Sequence, residues 1–113
     1  PFPEASFGIA SLECAVAVVL DAWKRRGEPL ALEKLLALFT SRPASLLPEP
    51  WNRLGRVAEG APADLAVIDL GELRVVDRAE WWSKACNCPW QGMLLQGWPV
   101  MTFLGGLLFK GRQ

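Results

Sequence analysis

The sequence predicts an α/β chain with a helical first half and a second half built of strands. Before residue 40, apolar residues recur twice at intervals of three and four: Leu12, Val16, Val19, Leu20 and Trp23, then Leu32, Leu35, Leu36 and Phe39. That spacing gathers side chains on one face of a helix. After the turn Glu59-Gly60-Ala61-Pro62 comes the apolar run Leu65 to Ile68 and then Leu70, with Asp64 in front and Asp69 near its end. The run is too short for a helix and holds two β-branched residues, so it reads as a buried strand.

Residues 1–10 contain two prolines and a glycine and read as a loop. Ser11 is the expected N-cap of a first helix from Leu12 to Arg26, with Glu13 in its first turn. Lys24-Arg25-Arg26 followed by Gly27 makes a favourable stop. Pro29 restarts the chain, and the second helix should run to about Thr40. Ser41-Arg42-Pro43 puts proline at the first position of a short third helix completed by Ala44 to Leu47.

Pro48-Glu49-Pro50 breaks the chain again, and residues 48–62 read as a turn-rich connection between the helical and β parts. Beyond strand 64–70, Gly71-Glu72 is expected to turn into a second strand, Leu73 to Val76, as a hairpin. Asp77 is expected to cap one helical turn reaching Trp81 and Trp82. Residues 83–99 hold two prolines and two glycines and read as loop, with a short strand at Met93 to Leu95. Val100 to Leu104 and Leu107 to Lys110 flank Gly105-Gly106, a dipeptide suited to a two-residue hairpin turn.

Composition narrows the function. With 113 residues, 51% of them hydrophobic, there is enough apolar material for a core. Twelve basic against twelve acidic residues argue against a nucleic-acid partner. Cys14, Cys86 and Cys88 are odd in number and without repeating spacing, which favours a reducing cytoplasm over a disulfide framework. With no His in the chain, a closed zinc site would have to recruit carboxylates. The apolar run Cys14 to Leu20 is far short of a membrane span, so no membrane partner is expected. A start at Pro1, six Trp, no Tyr and no His suggest a piece of something larger.

Five landmarks carry a resemblance. Gly60, Ala63, Asp64, Leu65 and Asp69 fit a G-x-x-A-D-L-x-x-x-D element. Ala5-Ser6-Phe7-Gly8-Ile9-Ala10-Ser11-Leu12-Glu13 fits A-P-F-G-I-x-G-x-E, with Ser6 in place of the proline and Ser11 in place of the second glycine. Ser41-Arg42-Pro43-Ala44 looks like an S-x-N-P-A junction. Ser83-Lys84-Ala85-Cys86-Asn87-Cys88-Pro89-Trp90-Gln91-Gly92 resembles S-K-x-x-N-T-P-F-x-G, and Gly97-Trp98-Pro99-Val100-Met101-Thr102 resembles G-W-P-V-x-T. Taken in chain order, from Ala5 to Thr102, they resemble the C-terminal end of the dihydroorotase branch of the amidohydrolase superfamily.

The resemblance implies the C-terminal helices of a metal-dependent (β/α)8 barrel followed by strands of a small β-sandwich domain. Residues 1–47 would be the last loop and helices of the barrel, 48–62 the connection and 63–113 the C-terminal part of the β-domain. It implies a zinc-dependent cyclic amidohydrolase that interconverts N-carbamoyl-L-aspartate and dihydroorotate in pyrimidine synthesis, with its zinc ligands outside this segment. Allantoinase or hydantoinase chemistry is the related alternative. A non-catalytic dihydroorotase-like partner of aspartate carbamoyltransferase is another, and a free-standing β-module binding through a Trp-rich face is a third.

The implied partners are the remainder of the same enzyme, a small-molecule substrate, and a homodimer or aspartate carbamoyltransferase. The implied substrate contacts are the main chain at Phe7 and Gly8, where glycine permits close approach. The competing reading is that Gly8 only turns the chain and Phe7 packs beneath it. Asp64 and Asp69, five apart on a strand, point to opposite faces and cannot converge on one substrate. Trp81, Trp82, Trp90 and Trp98 fit either a stacking platform or, better, packing of a thin β-domain against a barrel.

Overall fold

The computed structural model describes residue 4 and residues 8–109. Helix α1 spans Ala15–Arg25, α2 Leu32–Ala37 and α3 Ser41–Ala44; strands β1 (Leu65–Val75), β2 (Leu94–Leu104) and β3 (Leu107–Phe109) form one antiparallel sheet in the order β1-β2-β3.

The first helix stops where the sequence says it should. Gly27 takes φ 72°, its N–H donates to the Lys24 carbonyl at 3.0 Å, and Glu28 N–H donates to the Trp23 carbonyl at 3.0 Å. These two bonds satisfy carbonyls that a helix end otherwise leaves orphaned. The Trp23 indole N–H then reaches the Leu30 carbonyl at 2.8 Å and fixes the turn towards α2.

The start of α1 differs from expectation. Cys14 takes the cap position without a side-chain bond, and Ser11 contributes only its carbonyl, which accepts from Cys14 N–H at 3.0 Å. Helix α2 is also shorter than expected, giving way to turns at 38–40, and Pro43 lies inside α3 instead of opening it.

The β half corrects the sequence reading in three ways. Gly71-Glu72 does not turn the chain. Residues on both sides of it pair with the same strand β2, and the register slips between Asp69 and Leu73, so Gly71 is absorbed as a bulge. The Asp69 carboxylate accepts the Gly71 N–H at 2.8 Å and closes that bulge.

Second, the strand expected at 93–95 does not give way to loop: residues 96–99 continue it as β2. Pro99 is tolerated because β3 pairs only with Thr102–Leu104, which leaves β2 an open edge at that level. Third, the run 65–70 is not buried among the described residues: Leu65, Val67 and Leu70 are 38%, 42% and 40% exposed. Helix α1 packs on β2 and leaves β1 uncovered.

The β2-β3 hairpin matches expectation, with Gly105 and Gly106 at φ 57° and 81°. The Asp64 carboxylate accepts the Gly105 N–H at 2.7 Å. Both aspartates of the 64–70 stretch therefore serve turns and bulges. Asp77 caps a short 3₁₀ turn, Arg78–Glu80, by accepting from Ala79 N–H at 3.0 Å.

The core lies between α1 and the β2 strand: Cys14 and Ala17 from the helix side meet Val76, Trp81, Leu95 and Trp98. Trp81 and Trp98 are buried, Trp90 packs against them, and the Trp98 indole donates to the Leu95 carbonyl at 2.9 Å. Trp82 stays exposed. Helix and strand approach closely at Gly97, which is buried. A Cβ there would sit 2.9 Å from the Leu20 Cβ. Beside this contact buried Asp21 accepts the Gln96 N–H at 3.2 Å and pairs with Arg25, so its charge is answered on both sides.

Candidate functional site

Of the two residues expected to meet substrate, Phe7 lies outside the described residues, and Gly8 is placed. Gly8 is exposed with φ 68°, a left-handed conformation that glycine takes without strain, and, its chain neighbours apart, no atom of the described residues lies within 4 Å of where a Cβ would be. Its flank is open to a ligand.

The turn at Gly8 is held from the far end of the chain. The Asn87 side-chain amide donates to the Gly8 carbonyl at 2.5 Å, and the Asn87 carbonyl accepts the Ala10 N–H at 2.7 Å. A few residues on, the two Glu13 carboxylate oxygens accept the main-chain N–H groups of Trp82 (3.0 Å) and Ser83 (2.8 Å). Between these clasps lies a cleft of about 720 Å³ bordered by Ile9, Leu12, Trp81, Trp82 and Ala85.

The 83–92 loop that reaches Gly8 has its own supports. Arg78 donates from its guanidinium to the Cys86 carbonyl at 2.7 Å, and its main-chain N–H donates to the Gln91 side-chain oxygen at 2.9 Å.

Two of these residues escape a reading of the sequence. Glu13 looks like a first-turn helix acid, but it precedes α1 and spends its charge on main-chain amides almost seventy residues away. Asn87 is visible only as one position of the Ser83–Gly92 landmark. No local pattern names a partner that far along the chain.

Under the same junction, Cys14 is fully buried and Cys88 packs against it. Burial pushes the Cys14 thiol up to about 11, and the neighbouring Cys88 thiol, charge and hydrogen bond together, pushes the same way. The folded chain thus keeps this proton at a pH where an unfolded thiol loses it. Stability is therefore expected to fall by on the order of 2 kcal/mol as pH rises from about 9 to 11. Denaturation midpoints across that range should show the slope, and Cys14→Ala should flatten it; an unchanged slope in the variant would assign the effect elsewhere.

Among the described residues, no group of three His, Cys, Asp or Glu side chains is disposed to hold a metal, and no helix is long and apolar enough to cross a membrane. What the arrangement offers chemically is an open main-chain turn presented by a hydrogen-bonded frame.

Known proteins resemble the chain in sequence and in fold. The chain is 44% identical over 112 residues to a dihydroorotase of Deinococcus radiodurans, which covers 97% of this chain and 25% of that protein. It is 42% identical over 110 residues to a dihydroorotase of Bacillus caldolyticus, with 96% and 25% covered. The chain thus spans about a quarter of the length of the curated relatives it matches.

L-Hydantoinase (dihydropyrimidinase) from Arthrobacter aurescens has a similar fold with a TM-score of 0.81 at 30% identity, covering 95% of this chain and 23% of that one. A D-hydantoinase reaches 0.77 at 20% identity over the same shares, a likeness of fold alone. No family model matches the chain. In sequence and in fold, the chain corresponds to the C-terminal part of a dihydroorotase-type protein of the amidohydrolase superfamily.

Proposed function

We propose that the protein carrying this segment is a dihydroorotase, which opens and closes a six-membered cyclic amide to interconvert N-carbamoyl-L-aspartate and dihydroorotate in the cytoplasm. The observation that carries the reading is the similarity to dihydroorotases along nearly the whole chain. Zinc, held by residues outside this segment, supplies an activated water and polarises the amide carbonyl when bound.

The segment's own part is to bind and orient. Main-chain groups at Phe7 and Gly8 meet the polar edge of the ring, supported by the open flank of Gly8. In this reading residues 1–47 complete the barrel, 48–62 connect, and 63–113 belong to the small β-domain. The remainder of the same polypeptide covers the exposed sheet.

The test is turnover of N-carbamoyl-L-aspartate by the complete protein loaded with zinc. Cyclisation to dihydroorotate supports the reading. Hydrolysis of a hydantoin without that activity would replace it by a hydantoinase, the alternative favoured by the 30% identical L-hydantoinase fold. Neither activity, with co-purification of aspartate carbamoyltransferase, would point to a non-catalytic partner instead.

Gly8→Val probes the loop in the same protein. A β-branched residue resists positive φ and shifts the main chain. The expected result is a KM raised by about tenfold or more, or lost turnover, with zinc content and melting temperature nearly unchanged. An equally large loss of stability would support the packing-only reading of Gly8.

A further inference from the structure

We infer that Asn87 is a positioning residue for the Gly8 turn and, through it, sets substrate affinity; the second half of this inference rests on the substrate-facing reading of Gly8. Asn87 grips the turn at two points two residues apart. Its side-chain N–H₂ takes the Gly8 carbonyl and its own carbonyl takes the Ala10 N–H. The carboxamide stands in for a main-chain N–H, so the pair of bonds forms a miniature antiparallel bridge around Ile9, whose side chain is left 54% exposed.

Chemistry restricts what can replace it. The group facing the Gly8 carbonyl has to be a donor, which makes Asn suitable and Asp, an acceptor when ionised, repulsive at the same size. Among the described residues, chain neighbours apart, nothing packs on the Cβ side of Gly8, so packing by them does not fix the turn. The polar bridge does. Its anchor is firm because the Cys86 carbonyl, one residue earlier, is tied to the Arg78 guanidinium at 2.7 Å.

The experiment compares wild type, Asn87→Ala and Asn87→Asp in the complete protein, by hydrogen exchange of the peptide covering residues 8–13 and by steady-state kinetics with N-carbamoyl-L-aspartate. Exchange is expected to quicken by about fivefold to tenfold in Asn87→Ala, the weight of one lost hydrogen bond, and more in Asn87→Asp. KM should rise by about tenfold with kcat held within about twofold, the signature of weakened binding and not of damaged chemistry.

Unchanged exchange in both variants would overturn the inference. So would quickened exchange with an unchanged KM in a protein where Gly8→Val does raise KM. If neither Gly8→Val nor Asn87→Ala moves KM while exchange quickens, the substrate-facing reading of Gly8 fails and Asn87 retains only its hold on the turn. If wild type does not turn over N-carbamoyl-L-aspartate, the exchange measurement still decides whether Asn87 positions the turn, and the failure belongs to the proposed function.

Discussion

Gly97→Ala is expected to destabilise the protein by about 2–5 kcal/mol. Two costs add. Gly97 sits at φ 93°, which an L side chain adopts only under strain. The new Cβ would also lie 2.9 Å from the Leu20 Cβ and 3.1 Å from its Cδ1. A Cβ is fixed to its helix backbone, so relief requires α1 to lift off β2 and loosens the bond from Gln96 N–H to buried Asp21 as it does.

Gly105→Ala is the control, because that residue also has positive φ (57°) but nothing within 4 Å of an added Cβ. Denaturant titration of both variants separates strain from crowding. Equal losses would mean that the close approach of helix and strand contributes nothing.

The isolated 113-residue chain is expected to associate instead of sedimenting as a 12.4 kDa monomer. Leu73 (58%), Val75 (54%), Leu104 (66%), Leu107 (77%) and Phe109 (56%) expose apolar surface along one three-stranded sheet, and Leu12 (91%) does so ahead of the first helix. Apolar surface of this kind, next to an unpaired strand edge, is what self-association covers.

Sedimentation velocity over a range of concentrations should therefore show larger species, with a broad thermal melt. The same material should neither retain zinc nor cyclise N-carbamoyl-L-aspartate, since the chain has no His and the described residues hold no ligand cluster. A monodisperse monomer with a cooperative melt would make the segment a self-sufficient domain and remove the need for a covering polypeptide.

What the sequence reveals and what it hides divide by distance along the chain. Helix α1 and its stop at Gly27 are legible because the periodicity, the basic last turn and the glycine all act within a few residues. The hairpin at Gly105-Gly106 is legible for the same reason. The bulge at Gly71 is not: a glycine after a short apolar run reads as a turn, and only the long partner strand β2 decides that the chain continues straight.

That partner was itself obscured by Gly97 and Pro99, two residues that argue locally against a strand. Gly97 is required by the contact with Leu20, and Pro99 is permitted by the short reach of β3. The candidate site follows the same rule. Gly8 stands out by residue type, whereas Asn87 and Glu13 acquire their roles from groups 79, 69 and 70 positions away.

Those long-range bonds also set an order of events in folding. Closing a loop of seventy or more residues carries an entropic cost before any contact rewards it, so the clasp on Gly8 cannot be an early step. Helix α1 can form and cap itself while the rest of the chain is still unstructured, but the turn ahead of it has no local means of holding its shape. During synthesis, residues 8–13 must wait until Trp82, Ser83 and Asn87 have left the ribosome. A chain released before that point would carry an unorganised turn, so any function residing in that turn appears only once the closing stretch has arrived.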